Sequence, residues 1–253
     1  MGSRKIVTVH SYRGGTGKSN LTANLAVCAV EQGKRVAVLD TDLQSPGVHV
    51  LFGYREGEIR LTLLDFLWGR SELRETAYDA TPRVCPTASG RCYLVPASLT
   101  AEAITRVIED GYDIRRLNAH IDQLLTTLDL DYLLIDTHPG LNKETLLATA
   151  ISDVLLIVLR PDEQDYQGTA ILKEVAGQLD IPHTFLIVNK ILSRADRDRL
   201  RERIEGAFGH EVIGMLPLSE EFAAIESRDV FVRRHPDHEI SHTLRGIVAR
   251  WPQ

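Results

Sequence analysis

The glycine-rich run His10-Ser11-Tyr12-Arg13-Gly14-Gly15-Thr16-Gly17-Lys18-Ser19-Asn20 constrains this chain more than any other stretch. An apolar segment, Ile6-Val7-Thr8-Val9, precedes it and is predicted to be a buried strand, while Leu21, Leu25 and Cys28 follow at helical spacing. A glycine-rich turn leading from a strand into a helix is the setting of a phosphate-binding loop. Gly14, Gly15 and Gly17 carry no Cβ, so the backbone can take positive φ and close around an anion. Several N–H groups then converge, and the helix that follows contributes the positive end of its dipole. Lys18 supplies a mobile full charge for the outer phosphates, and Ser19 places a hydroxyl where a magnesium ion would sit.

The general phosphate-loop motif has a glycine where Tyr12 stands. The segment Arg13-Gly14-Gly15-Thr16-Gly17-Lys18-Ser19 instead resembles the deviant loop of the ParA/MinD family, in which a second basic residue, normally lysine, precedes the glycine pair. Here that residue is Arg13. The resemblance implies a doubly wound α/β fold, a mostly parallel sheet with helices on both faces, that binds ATP and Mg2+ and forms a homodimer on ATP binding. By that resemblance Gly14, Gly15, Thr16, Gly17, Lys18, Ser19 and Asn20 hold the phosphates, and Arg13 reaches across the dimer to the partner copy's nucleotide. Arginine keeps the charge of lysine and can fork onto two oxygens, but it is longer and planar.

A second strand, Arg35-Val36-Ala37-Val38-Leu39, ends at Asp40-Thr41-Asp42. Ligands of open α/β sheets bind at that strand edge. The stretch is similar to the family's switch I, which implies that Asp42 positions and polarises the attacking water and that Asp40 hydrogen-bonds waters around the metal. Further on, Tyr132-Leu133-Leu134-Ile135 delivers Asp136 into Thr137-His138-Pro139-Gly140. Asp136 is expected to bind magnesium through water, and Thr137 to Gly140 resembles switch II. The family usually has no histidine there, so His138 is read as a shape or switch residue rather than a general base.

Asn189-Lys190 closes a later strand where such folds read the base. Guanine-specific relatives carry Asn-Lys-x-Asp, whose carboxylate accepts two guanine protons. Leu192 stands in that place and accepts nothing, a loss of roughly 1–3 kcal/mol for guanine that favours adenine. By resemblance Asn189 meets the adenine edge and the turn after Pro217 closes over the base.

The remaining sequence bounds these readings. The 253 residues are predicted to form one domain, with 6% aromatic residues and an aliphatic core suited to a parallel sheet. A formal charge of −6 argues against coating nucleic acid by charge alone. Three irregularly spaced cysteines suit a reducing cytoplasm, and neither signal peptide nor membrane span is expected. Residues 61–130 are the least legible. A short helix at Leu63, Leu64 and Leu67, a loop from Thr81 to Gly90, a strand at Tyr93-Leu94-Val95 and a helical region from Thr100 broken near Gly111 are expected there. A membrane surface would call for a basic amphipathic tail, and Leu244, Ile247, Val248 and Trp251 form only a short stripe better suited to the core. DNA would call for a basic surface, yet the arginines from Arg194 to Arg203 are interleaved with Asp196, Asp198 and Glu202. His235 and His238 fit a turn better than a metal site.

The resemblance therefore implies an ATP-hydrolysing switch that dimerises and positions, partitions or regulates a partner not written in the chain. The alternatives are an ATP-dependent ligase-type enzyme on the same fold, or a regulatory protein that turns ATP over slowly.

Overall fold

The computed structural model describes residues 4–97, 100, 102, 103, 105 and 113–252. Eight strands form one sheet: β1 (Lys5–His10), β2 (Arg35–Asp40), β3 (Tyr78–Asp79), β4 (Arg91–Val95), β5 (Tyr132–Asp136), β6 (Val154–Leu159), β7 (His183–Ile191) and β8 (Val212–Pro217). Their order is β3-β4-β2-β5-β1-β6-β7-β8, and only the two-residue β3 runs antiparallel to its neighbour. The longer described helices are α1 (Lys18–Glu31), α2 (Arg115–Thr127), α3 (Lys143–Ala150), α4 (Glu163–Gln178), α5 (Arg197–Phe208) and α6 (Glu239–Val248). This is the expected doubly wound α/β architecture.

Both faces of the sheet are covered, and the period of two along each strand divides the residues between them. Val36 and Val38 of β2 and Leu134 of β5 pack with Leu21 and Leu25 of α1 and with Leu244 and Ile247 of α6. Their alternates Ala37, Leu39, Leu133 and Ile135 pack with Leu117, Ile121 and Leu124 of α2 on the other side. Farther along that face, Leu155, Ile157 and Leu159 of β6 meet Leu172 of α4 and Leu200 and Ile204 of α5. Two of these helices begin at aspartate caps. The carboxylates of Asp162 and Asp196 accept from the Asp165 and Arg199 amides at the starts of α4 and α5.

Register decides what the C-terminal edge presents. β5 lies between β2 and β1, with Asp136 opposite Asp40 on one side and opposite Val9 on the other. The segments following β1, β2 and β5 thus leave the sheet together.

Some local expectations need adjusting. Part of the loop predicted from Thr81 to Gly90 is a helical turn, Thr81–Val84, since Pro82 suits a helix start. β3 was not expected, because two residues carry no periodicity. Most of the helical region predicted from Thr100 to Gly111 lies outside the described residues. β7 runs on through Asn189-Lys190, with Lys190 at φ 58°. Leu244, Ile247, Val248 and Trp251 are buried in the core. His238 caps α6 by accepting from the Ile240 amide, and His235 stacks on Phe231.

Tyr12, the residue in place of the motif's first glycine, folds back onto Gly168 of α4, where an added Cβ would overlap its Cβ, Cγ and Cδ1. Loop and helix fit because one side of the contact has no side chain. Gly168→Ala is therefore expected to destabilise the protein by about 1–3 kcal/mol through overpacking. In a Tyr12→Ala background the same change is expected to be neutral or better, and urea denaturation of the four proteins in that cycle measures the difference.

Candidate functional site

The loop between β1 and α1 is shaped by its glycines and braced from two sides. Gly15 and Gly17 take φ of 76° and 97°, the left-handed region that side chains disfavour. A Cβ at Gly17 would also lie 2.6 Å from Nδ2 of Asn189, so a side chain there would be strained in its conformation and would push Asn189 off the Thr16 carbonyl. From β7, Asn189 Nδ2 donates to the Thr16 carbonyl (2.7 Å) and Lys190 Nζ donates to the Gly15 carbonyl (2.7 Å). From the segment after β5, the Gly140 amide donates to the Ser11 carbonyl (3.1 Å). Thr16 Oγ1 is buried without a hydrogen-bond partner among the described residues. A polar atom left so within an amide-rich loop is suited to a ligand oxygen.

Lys18 opens α1 and is buried to 7% exposure. Its charge lies near Asp136, whose carboxyl is fully buried at the end of β5. Burial pushes the Asp136 carboxyl up to about 6, while Lys18 and the hydroxyls of Ser19 and Thr22 pull it down. Thr22 Oγ1 reaches Asp136 Oδ1 at 3.1 Å, and Oδ2 is buried with no partner among the described residues. Asp40 is likewise fully buried, and desolvation and then the neighbouring Asp136 raise its carboxyl. Two desolvated acids with one unpartnered oxygen match a hard cation. The Ser19 hydroxyl beside Asp136 completes a donor set that fits magnesium, an ion that keeps most of its ligands as water. Among the described residues no group of three or more His, Cys, Asp or Glu side chains is arranged as a closed metal cage.

Asp40 also shapes the chain after β2. It accepts from the amides of Asp42 (3.1 Å), Gly47 (3.1 Å) and Val48 (3.2 Å). Thr41 donates to the Asp136 carbonyl through its amide (2.9 Å) and its hydroxyl (2.8 Å), tying this segment to β5. Asp42 is 6% exposed, and its Oδ1 accepts from the Ser45 amide (3.0 Å) and from His138 Nδ1 (2.8 Å). Arg13 is exposed at the mouth of the loop, and among the described residues no carboxylate pairs with it.

Beside the loop lies a cavity of about 350 Å3, lined in part by Asn20, Asn189, Pro217, Phe222 and Ser227. Asn20 Nδ2 donates to Ser227 Oγ (3.3 Å) across its wall. The structure thus brings Asn189 and Pro217 to the same cavity. It adds residues that pattern reading did not single out: Thr22 on Asp136, Phe222 and Ser227 in the cavity wall, and His10 on Thr137. None of these carries a motif; their places follow from the sheet.

His10 ends β1 and is 1% exposed. Thr137 Oγ1 donates its one proton to the Val9 carbonyl (3.0 Å), so the 2.7 Å contact between that hydroxyl and His10 has Nδ1 as donor. Burial, then Lys18, then His138 push the imidazole down to about 3, which keeps it neutral under a cationic loop.

The family model described as the CobQ/CobB/MinD/ParA nucleotide binding domain matches residues 7–231. The antiactivator FleN of Pseudomonas aeruginosa is 31% identical over 262 residues, covering 98% of this chain and 87% of that protein. An iron-sulfur cluster carrier protein of Aquifex aeolicus is 26% identical over 262 residues, covering 98% of this chain and 67% of that one. The fold is similar to that of the septum site-determining protein MinD of Pyrococcus horikoshii, solved with Mg-ADP, with a TM-score of 0.79 at 21% identity over 97% of this chain and 95% of the other.

A pH effect follows from His10. Its folded value lies far below the ordinary 6.5, so the unfolded chain takes up a proton that the folded one refuses. Stability is thus expected to be lost as pH falls from about 6.5 toward about 3. His10→Gln should flatten that acid-side slope, measured by urea denaturation between about pH 4 and pH 7.

Proposed function

We propose that this chain, which belongs to the CobQ/CobB/MinD/ParA nucleotide-binding family, is an ATP-hydrolysing switch whose ATP-bound form is a homodimer that engages a protein partner. The observation that carries the reading is the convergence of Lys18, Asp136 and Asp42 on one glycine-rich loop, an arrangement set by the register of three neighbouring strands.

In this reading the amides of Gly14, Gly15, Thr16 and Gly17 face the phosphates, with those of Lys18, Ser19 and Asn20 at the helix start. Lys18 Nζ offsets charge on the outer phosphates and strengthens its hold as negative charge shifts to the leaving oxygen. Ser19 and Asp136 hold magnesium, Asp136 through water, and the metal neutralises phosphate charge when bound. Asp40 supports that shell while fixing the loop that carries Asp42. Asp42 orients the attacking water. The water oxygen bonds to the γ-phosphorus, the bond to the β–γ bridging oxygen breaks with its electron pair leaving on ADP, and the water's proton ends on the released phosphate. The cavity beside the loop takes adenine, with Asn189 at its edge and Pro217 at its rim. Asn189 keeps an amide hydrogen and a lone pair for the base after serving Thr16 and the Lys190 amide.

Arg13 supports the dimer. An exposed cation at the loop mouth, without a carboxylate partner among the described residues, is available to phosphates of a second copy. The similarity to FleN, an antiactivator, favours regulation of a protein partner as the output, in the cytoplasm. The buried C-terminal stripe offers no apolar face to a membrane. A cluster-carrying role is disfavoured by the cysteines, since carriers need accessible thiolates. Cys28, Cys85 and Cys92 are buried, and burial raises all three thiols, Cys28 and Cys85 to about 12.

Size-exclusion chromatography with and without Mg-ATP, alongside nucleotide titration, tests the reading. Lys18→Ala should lose ATP binding. Asp42→Ala should give ATP-bound dimers without turnover. Arg13→Ala should weaken dimerisation by about tenfold or more while ATP affinity changes little. Unchanged ATP affinity in Lys18→Ala would refute the phosphate loop, and unchanged dimers in Arg13→Ala would refute the contact in trans.

A further inference from the structure

We propose that His138 is a positioning residue for Asp42: it fixes one oxygen of that carboxylate so that the other is presented to the attacking water, and it locks the segment after β2 to the segment after β5. This rests on the reading of Asp42 as the water-orienting acid.

The argument begins with register. Asp40 and Asp136 are partners across β2 and β5. Asp42 and His138 each lie two residues farther on, so continuing the paired strands brings them opposite one another. Both segments are held there independently. Thr41 donates twice to the Asp136 carbonyl, and the Gly140 amide donates to Ser11 at the loop's start. The contact itself, His138 Nδ1 to Asp42 Oδ1, measures 2.8 Å, with side-chain exposures of 30% and 9%.

Its direction is determined by chemistry. An ionised carboxylate only accepts, so Nδ1 carries the proton. Oδ1 also accepts from the Ser45 amide at 3.0 Å. Among the described residues no hydrogen bond ends on Oδ2. One oxygen is thus held by two donors from different segments and the other is left for water. The histidine therefore acts through the acid. It also makes the posture of Asp42 depend on the segment that follows Asp136, so both segments must be in place before the water is aligned.

The contact runs through Nδ1, and this gives a stereochemical test. The Nδ2 amide of asparagine can occupy the place of Nδ1, whereas glutamine places its amide farther out and alanine has no donor. Steady-state hydrolysis of Mg-ATP is measured for the wild type and for His138→Asn, His138→Gln and His138→Ala. His138→Ala and His138→Gln are expected to lower kcat by about 10–100-fold with KM changed less than about threefold, and His138→Asn to recover to within about fivefold of wild type. A readout without nucleotide is the 15N spectrum of the His138 ring, expected to show a hydrogen-bonded Nδ1–H that is lost in Asp42→Ala.

An asparagine variant as slow as alanine would show that a donor in the place of Nδ1 does not restore the function, and would overturn the proposal. So would an unchanged kcat in His138→Ala, or a proton found only on Nε2. A wild-type protein that binds but never hydrolyses ATP would instead refute the ATPase reading, and this proposal with it.

Discussion

Two carboxylates that repel one another are held side by side in the interior by strand register. Asp40 and Asp136 are directly paired across β2 and β5, both without solvent exposure. Removing such groups from water is costly, and their mutual repulsion adds to the cost. The fold accepts this because the surrounding strands are aliphatic and bonded along their length. It partly relieves the strain with Lys18, with hydroxyls from α1 and with backbone amides donated to Asp40. What remains is a buried oxygen on Asp136 without a partner among the described residues, and a pair of acids whose charged forms a cation would stabilise. The glycine loop leaves β1, the strand beside β5, and in the proposed function its amides are the complementary half, donors for an anion. In the function proposed above, a metal–phosphate complex satisfies both halves together.

The surrounding contacts keep these two halves in fixed relation. Lys190 and Asn189 brace the loop from β7, Gly140 braces it from β5, and Tyr12 seats it against α4 at Gly168. His10 lies beneath, neutral by burial, and joins Thr137 to the end of β1. Each tie runs between segments far apart in sequence. The site is thus a property of the sheet's edge rather than of any one motif, and movement of one segment would be transmitted to the others through hydrogen bonds of ordinary length.

That distribution explains what could and could not be read from the chain. The phosphate loop was legible because its glycines, lysine and serine are adjacent in sequence. The strands ending in Asp40 and Asp136 were legible because an aliphatic run closing in an acid is a local pattern. Partnerships made by register were not. Nothing local to His138 says that it meets Asp42, and nothing near Gly168 says that it exists to admit Tyr12. Asp40 could be seen as an acid closing a strand, but not as an acceptor for three amides of the following loop. The two-residue β3 and the turn at Thr81–Val84 escaped because they are shorter than any period that could reveal them.

The central claim is that a triphosphate and its metal complete an otherwise unsatisfied pair of surfaces. A crystal structure of the Asp42→Ala protein grown with Mg-ATP examines it most directly. The account predicts phosphates wrapped by residues 13–19, a metal bound to Ser19 with a water bridge to Asp136, adenine beside Asn189, and a second copy facing the loop through Arg13. Nucleotide bound at another surface, or a metal that leaves the Asp136 oxygen unpartnered, would contradict it.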